Sequence, residues 1–334
     1  MRASQKGGKV VDFVGLLKNR HYLKKFTRDF FTQRDYCEVD TPVVVKCPGT
    51  EVHLQYFETA WRDHNSQDNP RFLRSSPELH MKRLIAQGAD RIFQLGPSFR
   101  NHGELSDWHN PEFFMLEWYQ RGQTYLGLID ETEQYLRYTA DKMYKITGIA
   151  SKDVLPEKFD RIRVEEAFLE FANIKLQDLD PNLASVARDN GVVSVQADDD
   201  FETSFFKILI EKIEPALMRL GGCVLYDYPP SQAALAAVGT NGWAQRFEIY
   251  LGRVEICNGF FELTGGVENK IRISEALEKR RIAGYSRVPV DAEFLNDMAK
   301  FSLPFAGNAL GFDRWLALLQ GWKNLEASIA FIGV

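Results

Sequence analysis

Seven residues, Phe113-Phe114-Met115-Leu116-Glu117-Trp118-Tyr119, constrain the fold more tightly than any other run of the chain. Side chains alternate along a strand, so Phe114, Leu116 and Trp118 share one face while Phe113, Met115, Glu117 and Tyr119 share the other. The first face suits only a core; the second mixes aromatic rings with a carboxylate and reads as the floor of a ligand site. A second stretch repeats the message. Arg246-Phe247-Glu248-Ile249-Tyr250-Leu251 alternates, Gly252-Arg253 turns, and Val254-Glu255-Ile256-Cys257 returns, which is a hairpin with acids set inside a sheet.

Helical periodicity surrounds these strands. From Val11 to Gln33 the apolar residues Phe13, Leu16, Leu17, Leu23, Phe26 and Phe30 fall at helix spacing. Tyr36 to Pro42 is a short extended segment, since the proline pushes Thr41 out of helical geometry. Ser75-Ser76-Pro77-Glu78 opens a capped helix that Gly88 ends, and Ile92–Leu95 and Phe99–Asn101 read as two short strands. Residues from about 125 to 222 read as mainly helical, with Asp198-Asp199-Asp200 as a solvated helix lead-in. No repeat, Pro-rich linker or composition shift marks a boundary, so the expectation is one domain over 1–334 with a helical insertion at about 125–222.

Composition removes several classes of function. The four cysteines, Cys37, Cys47, Cys223 and Cys257, are scattered, with no pair at zinc or redox spacing. A formal charge of -5 gives no basic footprint for nucleic acid, so tRNA binding is not expected. Neither Gly-rich phosphate cradle occurs, so any ATP site must be built differently. The N-terminal residues lack a signal-peptide core and no run is long enough to cross a membrane, which points to the cytoplasm.

Three groups of residues can carry chemistry. Arg100, after Phe99, sets a permanently charged fork beside the ligand floor, where Phe113 offers a ring for a planar base. A surface ion pair and an ordinary core ring are the alternatives. Glu248, Glu255 and Glu262 lie on or beside the hairpin; they suit magnesium with phosphate oxygens, or simply a solvated edge strand. Gly311-Phe312-Asp313-Arg314 turns from a strand into a helix, bringing an arginine to a helix start that already favours anions, although the Asp-Arg pair could serve folding alone.

Taken together, these segments resemble the three signatures of class II aminoacyl-tRNA synthetases of the lysyl type. Glu38-Val39-Asp40-Thr41-Pro42 matches the first, Phe99-Arg100-Asn101 through His109-Asn110-Pro111-Glu112-Phe113 to Glu117 the second, and Gly311 to Arg314 the third. The resemblance implies an α+β fold, an antiparallel sheet flanked by helices, a homodimer formed through the first signature, and bound ATP with Mg²⁺. It implies catalytic roles for Arg100 on the α-phosphate and Arg314 on the γ-phosphate. It places Asn101, His102, Asn110, Phe113, Glu255, Ile256 and Gly311 around ATP, and Glu255 and Glu262 on magnesium. For the amino acid it implies Ser76, Pro77, Glu78, Tyr119, Glu262, Glu268 and Ala309, with Glu78 receiving an amino group and Tyr119 and Glu268 near the side-chain ammonium.

A narrower resemblance covers nearly the whole chain. The first signature ends at Pro42, leaving no room before it for the anticodon-binding barrel of a lysyl-tRNA synthetase. Ser76 to Leu84, Met115 to Tyr119, Ser231-Gln232-Ala233-Ala234-Leu235 and Ala309-Leu310-Gly311 resemble the elongation factor P lysine ligase family. In that family an alanine at the position of Ala309 reshapes the pocket toward (R)-β-lysine. The implied activity is activation of lysine or (R)-β-lysine as an adenylate, then transfer to a lysine of elongation factor P. A truncated tRNA-charging synthetase and a non-catalytic amino-acid-binding paralogue are the alternatives. His102 stands where the family has glutamate, with Glu104 nearby, Gly265 where it has aspartate, and Pro230 where it has alanine.

Overall fold

The computed structural model describes residues 12–101 and 106–332, so His102 and Glu104 lie outside the described residues. Eleven strands are present among them: β1 Cys37–Glu38, β2 Val44–Val45, β3 Glu58–Arg62, β4 Asp68–Leu73, β5 Arg91–Phe99, β6 Glu112–Arg121, β7 Asp160–Arg163, β8 Gly222–Tyr228, β9 Ala244–Leu251, β10 Val254–Phe261 and β11 Phe305–Gly311. Eight form one sheet in the order β1-β5-β6-β11-β10-β9-β8-β7, and β2, β4 and β3 form a small second sheet. The six central strands of the large sheet are antiparallel throughout; β1 and β7 add a parallel strand at each edge. The helices are α1 Phe13–Thr32, α2 Glu78–Ala86, α3 Tyr125–Thr147, α4 Val164–Ala172, α5 Leu183–Asp189, α6 Phe201–Ile208, α7 Glu214–Leu217, α8 Gly266–Ile282, α9 Ala292–Ala299 and α10 Phe312–Leu319. The fold is α+β, as expected.

Local chemistry sets the helix ends. Asp12 accepts from Val14 N at 3.1 Å to cap α1, Thr124 accepts from Gly127 N at 3.1 Å to cap α3, and Gly148 ends α3 at φ 75°, open to a residue without Cβ. Asp200, the last of the acidic run, caps α6 through Thr203 N at 2.8 Å while Asp199 pairs with Lys207 at 2.6 Å. That run is a helix lead-in, as its sequence suggests.

The two faces of the large sheet bury different things. Leu116 and Trp118 of β6 point with Phe247, Ile249, Ile256, Cys257 and Leu310 into the main core, beneath α1, α3 and α10. Phe31 of α1 stacks on Phe93 at 4.9 Å, and Trp118 places its indole N–H on Glu131 at 3.2 Å, so this large side chain is buried without an unsatisfied donor. On the other face a second cluster, drawn from α4 to α7, covers β8 and β9, and a third, drawn from α2, α8 and α9, covers β5 and β6. The central strands between them carry the site. The segment 125–222 divides accordingly: Leu128, Ile129, Tyr135 and Leu136 of α3 belong to the main core, the second core gathers from Val164 onward, and β7 adds a strand that helical periodicity did not mark.

Two strand readings need correction. The expected short strands at 92–95 and 99–101 are one strand, β5, running through Pro97. Its missing N–H causes no loss because it lies on the side away from β6, where Pro97 O accepts from Arg74 Nε at 3.1 Å and Nη2 at 3.0 Å. The return strand β10 contains a bulge: Glu255 pairs with Tyr250 but Cys257 pairs with Ile249. The extra residue sends Ile256 and Cys257 both into the core and keeps Glu255 and Asn258 on the opposite face.

Candidate active site

Strand register builds a polar row across the open face. Gln94 lies opposite Glu117, Glu117 opposite Ala309, Ala309 opposite Asn258, and Asn258 opposite Glu248. Directly opposed residues share a face, so five strands contribute one polar line with a small residue at its centre. The next line toward α2 and α8 contains Tyr119, Gly307, Phe260 and Arg246. A Cβ on Gly307 would collide with the Tyr119 ring and sit 2.9 Å from Glu262 Oε1, so only glycine lets the tyrosine lie across the strand.

One end of this face is built on carboxylates. Lys82, one turn after Glu78 on α2, is buried with its ammonium 2.5 Å from Glu78 Oε1 and 2.6 Å from Glu262 Oε2. Burial alone would lower its pKa; Glu262 and Glu78 outweigh that and hold it above the ordinary lysine value. Glu117 is buried with one oxygen accepting from Tyr119 Oη at 2.6 Å and the other without a hydrogen bond. Burial, reinforced by the charge of Glu78, pushes Glu117 up to about 8, and burial pushes Glu262 up to about 8 against the pull of Lys82. Three acids around one fixed cation make an environment that favours further positive charge. Ser76 accepts from Glu78 N at 3.2 Å and Pro77 caps α2, so these two set the start of the helix that carries Glu78.

The other end is built on arginines. The Arg100 guanidinium lies 5.2 Å from the Phe113 ring centroid. Arg314 donates to Trp108 O at 3.2 Å and Glu255 O at 2.8 Å, and its Nη2 meets His109 Nε2 at 2.8 Å. Arginine can only donate, so His109 Nε2 is the acceptor and its Nδ1 proton points to Ser106 Oγ at 2.6 Å. The neighbouring Asp313 faces the other way. It pairs with Arg20 of α1 and accepts from Phe114 N at 2.6 Å, tying helix, strand and turn together. Asp313 thus serves folding, while Arg314 faces the site. Asn110 donates to Glu112 O at 2.5 Å, shaping the loop ahead of Phe113, and Asn101 N donates to Gln55 O at 3.0 Å. Gly311 sits at the turn where an added Cβ would crowd the Arg314 side chain.

Glu255 is held up in pKa by burial and by Glu248, against Arg314, Arg100 and Arg246. Glu248 accepts from Arg246 Nη2 at 2.6 Å and Tyr250 Oη at 2.7 Å. Arg100 Nε, Glu117 Oε2, Arg246 Nε and Asn258 Oδ1 are all buried without a hydrogen-bond partner. Buried polar atoms are nearly always paired, so this concentration on one face is the signature of a surface made for a polar ligand.

Two expected placements differ, and a third is narrowed to the backbone. Glu255 and Glu262 do not form a shared metal site: seven residues of extended chain put them on the order of 20 Å apart, against ~2.1 Å for a magnesium–oxygen bond. Glu262 is instead committed to Lys82, and the carboxylate whose charge Glu255 feels is Glu248. Glu268 does not join the acidic cluster; it is 50% exposed on α8 and pairs with Arg272 at 3.0 Å. The Ile256 side chain is in the main core, leaving only its backbone to the open face. Conversely, Lys82, Glu117 and His109 received no role from the sequence, and Glu248 entered only as one of three hairpin carboxylates suited to magnesium. The i, i+4 spacing of Glu78 and Lys82 was a usable signal for the first. The strand alternation had already put Glu117 on the right face.

A family model of class II tRNA synthetases (D, K and N) matches residues 13–333. The chain belongs to this family. Among its curated relatives, the elongation factor P--(R)-beta-lysine ligase of Hamiltonella defensa is 33% identical over 325 residues, covering 95% of this chain and 94% of that protein. The Vibrio cholerae protein of the same name is 32% identical, covering 95% of each, and that of Salmonella typhi is 32% identical over 95% of this chain and 94% of its own. The resemblance drawn from ordered motifs therefore holds at both levels, synthetase core and ligase group. Among the described residues, no helix is long and apolar enough to cross a membrane.

Proposed function

We propose that this chain joins ATP to lysine or (R)-β-lysine as an aminoacyl adenylate and passes the acyl group to a lysine of elongation factor P. The observation that carries the reading is the charge division of a single sheet face. Arg100 beside the Phe113 ring and Arg314 on the Glu255 backbone suit a nucleoside triphosphate, and Glu78, Glu117 and Glu262 suit a diamino acid. The names of the relatives and the small Ala309 next to Glu117 favour (R)-β-lysine.

The substrate carboxylate is ionised at neutral pH and needs no general base. One carboxylate oxygen attacks the α-phosphorus, the bond to the bridging oxygen breaks, and pyrophosphate leaves. Arg100 and Arg314 stabilise charge on the phosphates, and the polar row fixes the amino acid relative to them. In the second step a neutral amine of the acceptor attacks the acyl carbonyl, AMP leaves, and an amide forms; the acceptor amine must first lose its proton, its reference pKa being about 10.4. Glu255 and Glu248 are the carboxylates that fit magnesium, since Glu248 is buried and Glu255 half-buried on the arginine side and magnesium takes one or two protein carboxylates together with phosphate oxygens. When bound, the ion would neutralise phosphate charge.

We read the chain as one catalytic domain with a helical insertion, a cytoplasmic homodimer that does not act on tRNA. The deciding experiment is intact mass measurement of elongation factor P after incubation with ATP and each amino acid. An adduct on elongation factor P with (R)-β-lysine is the expected outcome. Label entering tRNA instead would establish a tRNA-charging enzyme, and no amino-acid-dependent pyrophosphate exchange would establish a binding protein.

A further inference from the structure

The amino-acid end of the face has a wall that contributes no charge. Between β8 and β9, residues 229–238 run beside the end of β10: Leu263 N donates to Leu235 O at 2.9 Å, Ala237 N donates to Phe261 O at 2.8 Å, and Ala236 bridges Glu262. The segment is therefore the backbone partner of the residue that receives Lys82. Its turn is strained. Ala234 has φ 49°, a left-handed conformation in which an L side chain crowds the backbone and which glycine adopts without that cost.

Arg272 of α8 grips this turn. Its Nη1 donates to Ala234 O at 3.1 Å and to Ala236 O at 2.7 Å, and its Nε donates to Glu268 Oε1 at 3.0 Å. Arg272 is only 17% exposed and Glu268 lies outside it, toward solvent. The rest of the segment is anchored independently: Ser231 Oγ donates to Asp178 at 2.5 Å, Gln232 O accepts from Arg246 at 2.7 Å, and Leu235 packs in the cluster that holds Leu79, next to Glu78. Arg272 holds the strained residue and the Ala236 carbonyl two residues on.

We propose that Arg272, oriented by Glu268, is a positioning residue of the amino-acid pocket: it holds the left-handed turn at Ala234 and so fixes the wall paired with Glu262. Glu268 then serves the substrate through Arg272 and not by contact. The inference rests on the adenylate-forming reading, and its test separates the two.

Amino-acid-dependent pyrophosphate exchange gives KM for the amino acid and for ATP separately. Arg272→Met is expected to raise the amino-acid KM about tenfold, the scale of losing charge-assisted hydrogen bonds, with the ATP KM unchanged. Ala234→Gly should change little by itself, yet in the Arg272→Met background it should recover most of the loss, because glycine holds the turn unaided. A purely structural role for Arg272 would give no such rescue and no split between the two KM values. An unchanged amino-acid KM in Arg272→Met, or no rescue in the double variant, overturns the proposal, as does Glu268→Gln proving more damaging than Arg272→Met. If Arg272→Met does not fold, the double variant and Glu268→Gln carry the test. Calorimetric Kd values for lysine and (R)-β-lysine read the same ratios without turnover. A failure of adenylate formation in the unaltered enzyme would therefore sink the activity and leave the positioning claim measurable.

Discussion

The two ends of the ligand face solve opposite problems with opposite materials. At the end proposed for the nucleotide the charges are arginines, which cannot be neutralised, and the nearby carboxylates are the buried Glu248 and the half-buried Glu255. At the end proposed for the amino acid Glu117 and Glu262 are pushed up toward neutrality, and a single buried lysine bridges Glu262 to Glu78. On the proposed reading the first end, permanently charged, suits an anion, and the second, which adjusts its charge by protonation, suits a cation. Mutations should therefore separate cleanly by end.

The largest effect belongs to Arg100. Arg100→Ala should lower amino-acid-dependent pyrophosphate exchange by about 10²–10³-fold, the range for removing one preorganised charge from a reacting centre. Calorimetry should show the affinity for the amino acid alone unchanged. A comparable loss of amino-acid affinity would mean that the two ends are not independent.

Gly307→Ala attacks the other end. The new Cβ meets the Tyr119 ring, which must move and take its hydrogen bond away from Glu117. Overpacking of this sort costs about 1–3 kcal/mol. The amino-acid KM should rise ten- to a hundredfold while the ATP KM holds, and a crystal structure or ring-proton NMR of Tyr119 would show the displacement. Equal loss for both substrates would show that Gly307 matters to the sheet and not to one end of it.

Much of this division was legible in the chain before any fold was known. The alternation over 113–119 assigned the faces of β6 correctly, and the order of the motifs led to the family. What escaped was set by partners distant in sequence. β5 read as two short strands, and nothing local says that the missing N–H of Pro97 lies on the side away from β6. The bulge at Ile256 and Cys257 cannot be seen in β10 alone, since it exists only relative to β9. Spacing by seven residues links Glu255 equally to Glu248 and to Glu262, and only the hairpin decides: it folds Glu248 back toward Glu255 and leaves Glu262 a strand length away. Glu268 had the right charge near the right motif, and the direction of its side chain was invisible.

That ambiguity of sevens yields a sharper test of the division. Glu248→Gln should raise the magnesium concentration needed for half-maximal exchange by about tenfold, the cost of losing one charged ligand. Glu262→Gln should leave the magnesium requirement unchanged and raise the amino-acid KM. Titrating magnesium at saturating ATP for both variants measures this directly, and the reverse pattern would restore Glu262 to the metal and move the boundary between the two ends.

The smallest effect tests whether the amino-acid end truly adjusts its charge. Glu117 has an ordinary carboxylate value of 4.5 in the unfolded chain and about 8 when folded, because burial disfavours its ionised form. Between these values the folded protein keeps a proton that the unfolded chain has lost, so its stability contribution is complete below about 4.5 and falls as pH rises through about 8. Glu117→Gln keeps an acceptor for Tyr119 but cannot ionise. Urea unfolding should therefore show the variant and the parent alike near pH 4.5, with the variant gaining relative to the parent toward pH 8.5, by on the order of a few kcal/mol at most. A substrate ammonium beside Glu117 would draw its pKa down, so binding at pH 7 should release a proton, and the calorimetric enthalpy should vary with the ionisation enthalpy of the buffer. In Glu117→Gln that dependence should shrink. If the parent shows none, Glu117 is already ionised before the substrate arrives, and the carboxylate end is as fixed in charge as the arginine end.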